Sequence, residues 1–344
     1  MHLIPESRTG TLGAMAVAAL ASALWVERNS RAAERDHPAP YRVMYIDGTR
    51  LHYRLRGEGP PVLLLHGNLV HGADFDACGL ADRLARDHRV LVVDRPGFGW
   101  SDRPRGMAWT PAEQARLLRR ALAVLGLRKP IVVGHSMGTQ VALAMAMQEP
   151  MNVAGLVLLG GYYWPKFRVD RWMVAPAAVP VLGDVMRYTS AAWTARALLG
   201  TSVRAMFHPL PVPAGFHEYL PREMLLRPLQ QRATAEDGAR MNAQARAFTE
   251  RYGSLRCPVT LIAGGADKVI SPRQSARLHE AVPESDLHIV SGLGHMVHYE
   301  TQELIETAVR RAARTPVSAA EVLRSEPAQP AAQAPGRVES SLSS

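Results

Sequence analysis

Short, near-continuous apolar runs recur along this chain at 62–65, 90–93, 131–133, 156–159, 259–263 and 287–290, and a loop follows each one. Runs of this length, separated by helix-forming stretches, predict strands buried on both faces. They imply a mostly parallel sheet covered by helices on either side. Ahead of them, Val43–Asp47 and Arg50–Leu55 flank Gly48-Thr49 and predict a hairpin. One covering helix has a definite start, with Thr110 as N-cap, Pro111 in the first turn and Glu113 three residues after the cap. Its apolar positions continue through Leu118, Leu122 and Leu125, and Gly126 ends it.

The alternation breaks between Tyr162 and about Arg251. This stretch is rich in aromatic and methionine side chains, among them Tyr162, Trp164, Trp193, Met206, Phe207 and Met224. Prolines at 165, 176, 180, 209, 211, 213, 221 and 228 predict that its helices are short. Such side chains can line an adaptable apolar pocket or cement one layer onto another. Residues 29–40 are polar, end in His37-Pro38-Ala39-Pro40 and read as a linker. The Ala/Pro/Ser-rich tail 315–344 reads as disordered.

Thr11–Val26 carries no charge, and its sixteen residues fall short of the ~20 that span a bilayer comfortably. Three readings stay open. The heavier positive charge, at Arg28, Arg31 and Arg35, follows the segment and favours a retained membrane anchor. Ala21-Ser22-Ala23 offers a signal-peptide cleavage site, after which the protein would be exported. The third reading is a helix packed on the rest of the chain.

With 344 residues, 47% of them hydrophobic and 21% charged, the chain can bury a large core. Its net charge of +9 comes almost wholly from arginine, the lysines being Lys129, Lys166 and Lys268. Such a balance could suit an anionic membrane surface or acidic substrates, but the arginines are scattered, with no basic stripe and no nucleic-acid motif, so ordinary surface charge is the simpler reading and nucleic-acid binding is not expected. Two cysteines, Cys78 and Cys257, cannot make a disulfide framework. The 13 histidines are dispersed without H-x-x-x-H spacing, and neither a metal nor a cofactor is implied.

Chemistry concentrates at Gly134-His135-Ser136-Met137-Gly138, which follows the apolar run 131–133 and precedes a helix-forming stretch. At a strand-to-helix corner the chain turns sharply. Glycines two residues either side of the serine remove Cβ atoms that would clash, leaving the hydroxyl presented as a nucleophile. A hydroxyl needs a base, and the base needs an orienting acid. Asp267 lies in the loop after the run 259–263 and His295 in the loop after 287–290. Backbone N–H groups of His66-Gly67-Asn68, after the run 62–65, could help to hold an oxyanion.

Quoted as they stand, LLLHGN, VVDRPGFGWSDRP, VVGHSMGT, LIAGGADKVISP and SGLGHMVHYE make this chain resemble the lid-bearing serine hydrolases of the α/β-hydrolase superfamily over roughly Tyr41–Arg314. The resemblance implies an α/β fold of the α/β-hydrolase type, with a mostly parallel sheet flanked by helices and a helical cap inserted after the sixth strand. It divides the chain into an N-terminal hydrophobic segment and linker (1–40), a first core part (41–161), the cap (162–250), a second core part (251–314) and the tail (315–344). It further implies a Ser136–His295–Asp267 triad, with the N–H of Met137 and one from Asn68 or Leu69 as oxyanion hole. The expected substrate is a small apolar ester or similar acyl compound. Carbon–carbon bond hydrolysis with the same triad, or a ligand-binding accessory role, are the alternatives. Epoxide hydrolases and haloalkane dehalogenases of this scaffold need an aspartate where Ser136 stands.

Other residues read as structural. Asp94, Asp102 and His66 belong to turns, His135 packs beside the serine, and Ser101 and Ser291 lack the flanking glycines. His298 is a weaker alternative base. Cap arginines such as Arg168, Arg171, Arg222 and Arg227 could receive a carboxylate, although surface solvation is the simpler reading of each.

Overall fold

Apolar alternation along the strands sends successive side chains to opposite faces, and here both faces are covered. In the computed structural model, which describes residues 7–39, 42–166 and 179–314, the chain forms one eight-stranded sheet. The strands are β1 (Arg42–Ile46), β2 (Thr49–Arg56), β3 (Pro61–Leu65), β4 (Arg89–Val93), β5 (Ile131–His135), β6 (Gly155–Leu159), β7 (Val259–Gly264) and β8 (Asp286–Val290). Their order is β1-β2-β4-β3-β5-β6-β7-β8. β1 and β2 form the expected hairpin and β2 joins β4 antiparallel, whereas every pair from β4 to β8 is parallel.

Leu63, Leu65, Leu91 and Val132 face one layer, where they meet α2 (Pro111–Val124) and α3 (Met137–Gln148). Val62, Leu64, Val90 and Val133 face the other, against Phe75, Leu80 and Leu84 and the C-terminal helix Gln302–Arg314. α2 starts as expected: the Thr110 hydroxyl accepts the Glu113 N–H at 3.2 Å, and Gly126 after its end has φ +68°.

Between β6 and β7 the chain leaves the sheet and forms a helical segment. Among the described residues its helices are α4 (Leu182–Tyr188), α5 (Ser190–Phe207) and α6 (Pro228–Thr249), with short turns at Phe216–Tyr219 and Arg222–Leu225. The expectation of short helices is corrected here, because α5 has 18 residues and α6 has 22. Five of the described prolines lie at 209–228, so α5 ends before them and α6 begins with Pro228 at its first turn, where a missing N–H costs nothing. Phe167, Arg168, Arg171, Trp172 and the tail 315–344 lie outside the described residues.

The linker expected at 29–40 is also corrected. The N-terminal helix α1 runs from Ser7 to Asp36, well past the apolar stretch. Residues 27–36 contain no glycine or proline, Arg31 pairs with Glu27 one turn earlier at 2.7 Å, and Ala33 is buried. Helix propensity and packing carry α1 through the charged region until Pro38.

Candidate active site

The strand β5 ends at His135, and Ser136 takes φ +52°, ψ −115°, a left-handed conformation that L side chains avoid. Two close approaches force the flanking glycines. A Cβ on Gly134 would stand 2.7 Å from the Gly138 carbonyl oxygen, and one on Gly138 would stand 2.2 Å from that of Leu65. The corner is fixed from its other side as well: Ser136 N–H donates to the Leu159 carbonyl at 2.8 Å, and the Thr139 hydroxyl donates to the Ser136 carbonyl at 2.6 Å. Met137 opens α3, so its N–H lies in the first turn, which has no intrahelical carbonyl to meet.

Asp267 and His295 come together as the sequence predicts. His295 Nδ1 lies 2.7 Å from Asp267 Oδ2, with both side chains buried. Asp267 Oδ1 accepts the N–H groups of Val269 and Ile270 at 2.7 and 2.9 Å, which fixes the carboxylate. Gly160, at φ +52°, makes room for the base: a Cβ there would stand 3.3 Å from His295 Nδ1. The helical segment grips the same loop, because Met206 O on α5 accepts the His295 N–H at 2.9 Å.

Gly67 meets Ser136 closely, since a Cβ on it would lie 3.1 Å from Ser136 Cβ. The loop His66-Gly67-Asn68 is held by a buried guanidinium that sequence reasoning missed. Arg95, wholly buried, donates from Nε to His66 O at 2.9 Å and from Nη2 to Gly67 O and Asn68 Oδ1 at 3.1 and 3.0 Å. Its Nη1 donates to Gln114 Oε1 at 3.0 Å and to Asp237 Oδ2, on α6, at 2.7 Å. Arg103 holds the other oxygen of Asp237 at 2.8 Å. The Asn68 side chain is therefore engaged in this clamp, and what the residue leaves for the site is its backbone.

Among the rejected candidates, Asp94 is a turn residue. It accepts Gly72 N–H at 2.8 Å and Trp100 N–H at 3.1 Å, and burial raises its pKa to about 6. His66 accepts the Arg95 N–H through Nε2 at 2.9 Å, and the Ser101 hydroxyl donates to Asp94 O at 2.7 Å. His298 has a carboxylate of its own, with Nε2 2.9 Å from Asp74 Oδ2. The histidines are less dispersed than the sequence suggests. Asp74, His135 and His298, all buried, bring one ligand atom each within 4.8 Å of one another. The Tyr299 hydroxyl also binds Asp74, at 2.8 Å, so both carboxylate oxygens already accept hydrogen bonds. His135 Nε2 lies 3.1 Å from His295 O, and burial lowers the pKa of His135 far below that of an ordinary histidine. Arg227 is not a surface arginine: it is buried and ion-paired with Glu34 of α1 at 2.5 Å.

A mostly parallel sheet whose fifth strand runs into a strained serine, with an acid and a histidine in the loops after its last two strands, defines an α/β hydrolase architecture. The chain belongs to the alpha/beta hydrolase fold family, whose model matches residues 60–302. It is 26% identical over 275 residues to the 2-hydroxymuconate semialdehyde hydrolase of Pseudomonas putida, spanning 79% of this chain and 93% of that one. Its fold is similar to that of a thermophilic esterase from Thermogutta terrifontis (24% identity, TM-score 0.64, 79% of this chain and 98% of that one). A bacterial membrane phospholipase A is similar over 91% of this chain and all of its own (20% identity, TM-score 0.61).

Proposed function

We propose that this protein is a serine hydrolase that cleaves an ester or similar acyl substrate through an acyl-enzyme. The observation that carries the reading is the strained Ser136 at the carboxyl end of β5, at the same end of the parallel strands as the His295–Asp267 pair. Asp267 occupies His295 Nδ1 and so leaves Nε2 as the base. His295 takes the Ser136 proton as the hydroxyl attacks a carbonyl, then delivers it to the leaving group, and water repeats the sequence. N–H groups of Met137 and Asn68 serve the developing oxyanion, a contribution of ~10²–10³ in rate per donor.

The test is labelling with a fluorescent fluorophosphonate. Labelling of the wild type and its loss in a folded Ser136→Ala variant support the proposal, whereas equal labelling or turnover in that variant sinks it. The Pseudomonas putida relative favours carbon–carbon bond hydrolysis as second reading. Turnover of a vinylogous diketone in preference to nitrophenyl esters would select it.

Membrane association through residues 11–26 is part of the proposal. α1 is apolar enough for an anchor or a signal sequence. Its second half packs on the helical segment, with Trp25 stacked on Trp193 at 4.7 Å and Val26 buried, which supports retention of the helix over cleavage.

A further inference from the structure

We propose that the outer face of α4 and α5 rests on the bilayer into which α1 inserts, so that the cavity behind it takes an acyl chain directly from lipid. The inference rests on the anchor reading of α1.

From Thr11 to Ala18 every residue of α1 is exposed among the described residues, so the apolar half of the helix projects away from the described body of the protein. At about 1.5 Å per residue, the uncharged stretch Thr11–Val26 spans ~24 Å, most of the ~30 Å hydrocarbon thickness. Where α1 meets the helical segment, its depth is fixed by contacts. The Ser22 hydroxyl donates to Tyr188 O at 2.8 Å and accepts Trp193 Nε1–H at 2.9 Å, and Trp25 stacks on Trp193. A tryptophan pair at the end of an apolar helix, just before Glu27, Arg28 and Arg31, is what the boundary between hydrocarbon and headgroups favours.

The surface at this level is apolar too. Val181, Leu182 and Val185 are 75%, 51% and 59% exposed, and Trp193 and Leu198 stand beside them on α5 at 47% and 52%. Isolated exposed apolar side chains need no explanation, but a cluster beside the exposed apolar half of a helix does. Charge points to the same partner. Between Val179 and Phe207 the acidic residue is Asp184, already held by Arg105 and Arg187; of the arginines on α5, Arg196 is held by Glu223 and Arg204 is exposed. A face with apolar side chains and arginines suits an anionic lipid surface better than it suits water.

Behind this face lies a cavity of about 320 Å³. Ser190, Thr194, Leu198 and Ser202, each one turn from the next along α5, line it and are themselves exposed, so they form its rim. Leu69, next to Asn68 in the loop beside Ser136, also lines it. One end of the cavity therefore meets the face set on the membrane, and the other meets the loop proposed to hold the oxyanion. The ligand class this describes is an ester whose aliphatic chain starts in the bilayer.

The test uses the full chain in phosphatidylglycerol/phosphatidylethanolamine vesicles carrying a nitroxide-labelled lipid. An environment-sensitive fluorophore is attached at Val17→Cys on α1, Leu182→Cys or Val185→Cys on the cap face, or Val124→Cys at the exposed end of α2. Native Cys78 and Cys257 are buried. The expected result is loss of emission at Val17→Cys, Leu182→Cys and Val185→Cys, with Val124→Cys unaffected. Quenching at Val17→Cys while the cap positions behave like Val124→Cys would overturn the proposal and leave the anchor standing. Absence of quenching at Val17→Cys would overturn the anchor, and the proposal with it.

Discussion

Replacing Asp237 with asparagine removes one negative charge from the centre of a buried clamp without changing its size. Both guanidinium groups it holds are buried, Arg95 at 2.7 Å and Arg103 at 2.8 Å. Arg103 keeps Glu236, 2.8 Å from its Nε. Arg95 is left with neutral oxygens: the carbonyls of His66 and Gly67 and the side chains of Asn68 and Gln114. Breaking a buried pair from one side costs ~3–5 kcal/mol, and because asparagine still offers an acceptor we expect the lower end, ~3 kcal/mol. In a chain of this size that corresponds to a fall in Tm of ~6–12 °C.

The clamp also predicts a kinetic effect. Arg95 ties the loop beside Ser136 to α6, so loosening it displaces donors meant for the oxyanion. Misplacement of that kind costs up to ~10²-fold in rate and should appear in kcat more than in KM. Thermal unfolding and nitrophenyl-ester kinetics on Asp237→Asn and Glu236→Gln check both effects. Arg103 still keeps Asp237 when Glu236 is replaced, so the Glu236 variant should lose less, ~1–2 kcal/mol, and keep its kcat. A Tm for Asp237→Asn within ~1 °C of wild type would refute the energetic reasoning, since changes of that size are ordinary for surface sites. A lowered Tm with unchanged kcat would sever the clamp from the loop.

Gly160→Ala should lower kcat sharply while costing only ~1–2 kcal/mol of stability, because the new Cβ meets His295 at 3.3 Å and the backbone sits at φ +52°. Wild-type kinetics in that variant would refute it. Acid should destabilise the fold. Burial holds His52 and His71 neutral, with pKa values lowered to about 4 and about 3, whereas the unfolded chain takes up protons below pH ~6.5. Stability present above pH ~6.5 is therefore lost as pH falls. Asp94 acts in the opposite sense, its pKa being raised to about 6 so that the folded state holds a proton there first. For these three groups together the balance is a loss on the order of 3 kcal/mol by pH ~4. His66 and His135 act in the same direction as the other histidines, and a Tm at pH ~4.5 equal to that at neutrality would contradict this. Thr110→Ala should cost ~1 kcal/mol in denaturant unfolding through the lost cap and leave turnover unchanged.

What could be read from the sequence follows from which contacts the strand order alone creates. β3 and β5 are parallel neighbours with Leu65 opposite Gly134, so the loops leaving them, with Gly67 and Ser136, must meet. β7 and β8 are neighbours in the same way, and that places Asp267 beside His295. β4 beside β3 likewise sets Arg95 against His66. Each apolar run announces its strand, and the loop chemistry follows from the topology. The helical segment obeys no such rule. Asp237 lies 142 residues from Arg95, and no local period marks it as a partner, since on α6 it looks like any solvated acid between Glu236 and Arg240. The same holds for Asp74 and His298, 224 residues apart, and for Glu34 with Arg227. Local pattern also misled where a charged stretch was read as linker, because the packing that keeps α1 helical through Ala33 and Glu34 comes from the segment it touches. Residues that the sheet brings together can thus be deduced from strand order, while those joining α1, α4–α6 and the Ser136 loop become visible only when the structure sets the segment in place.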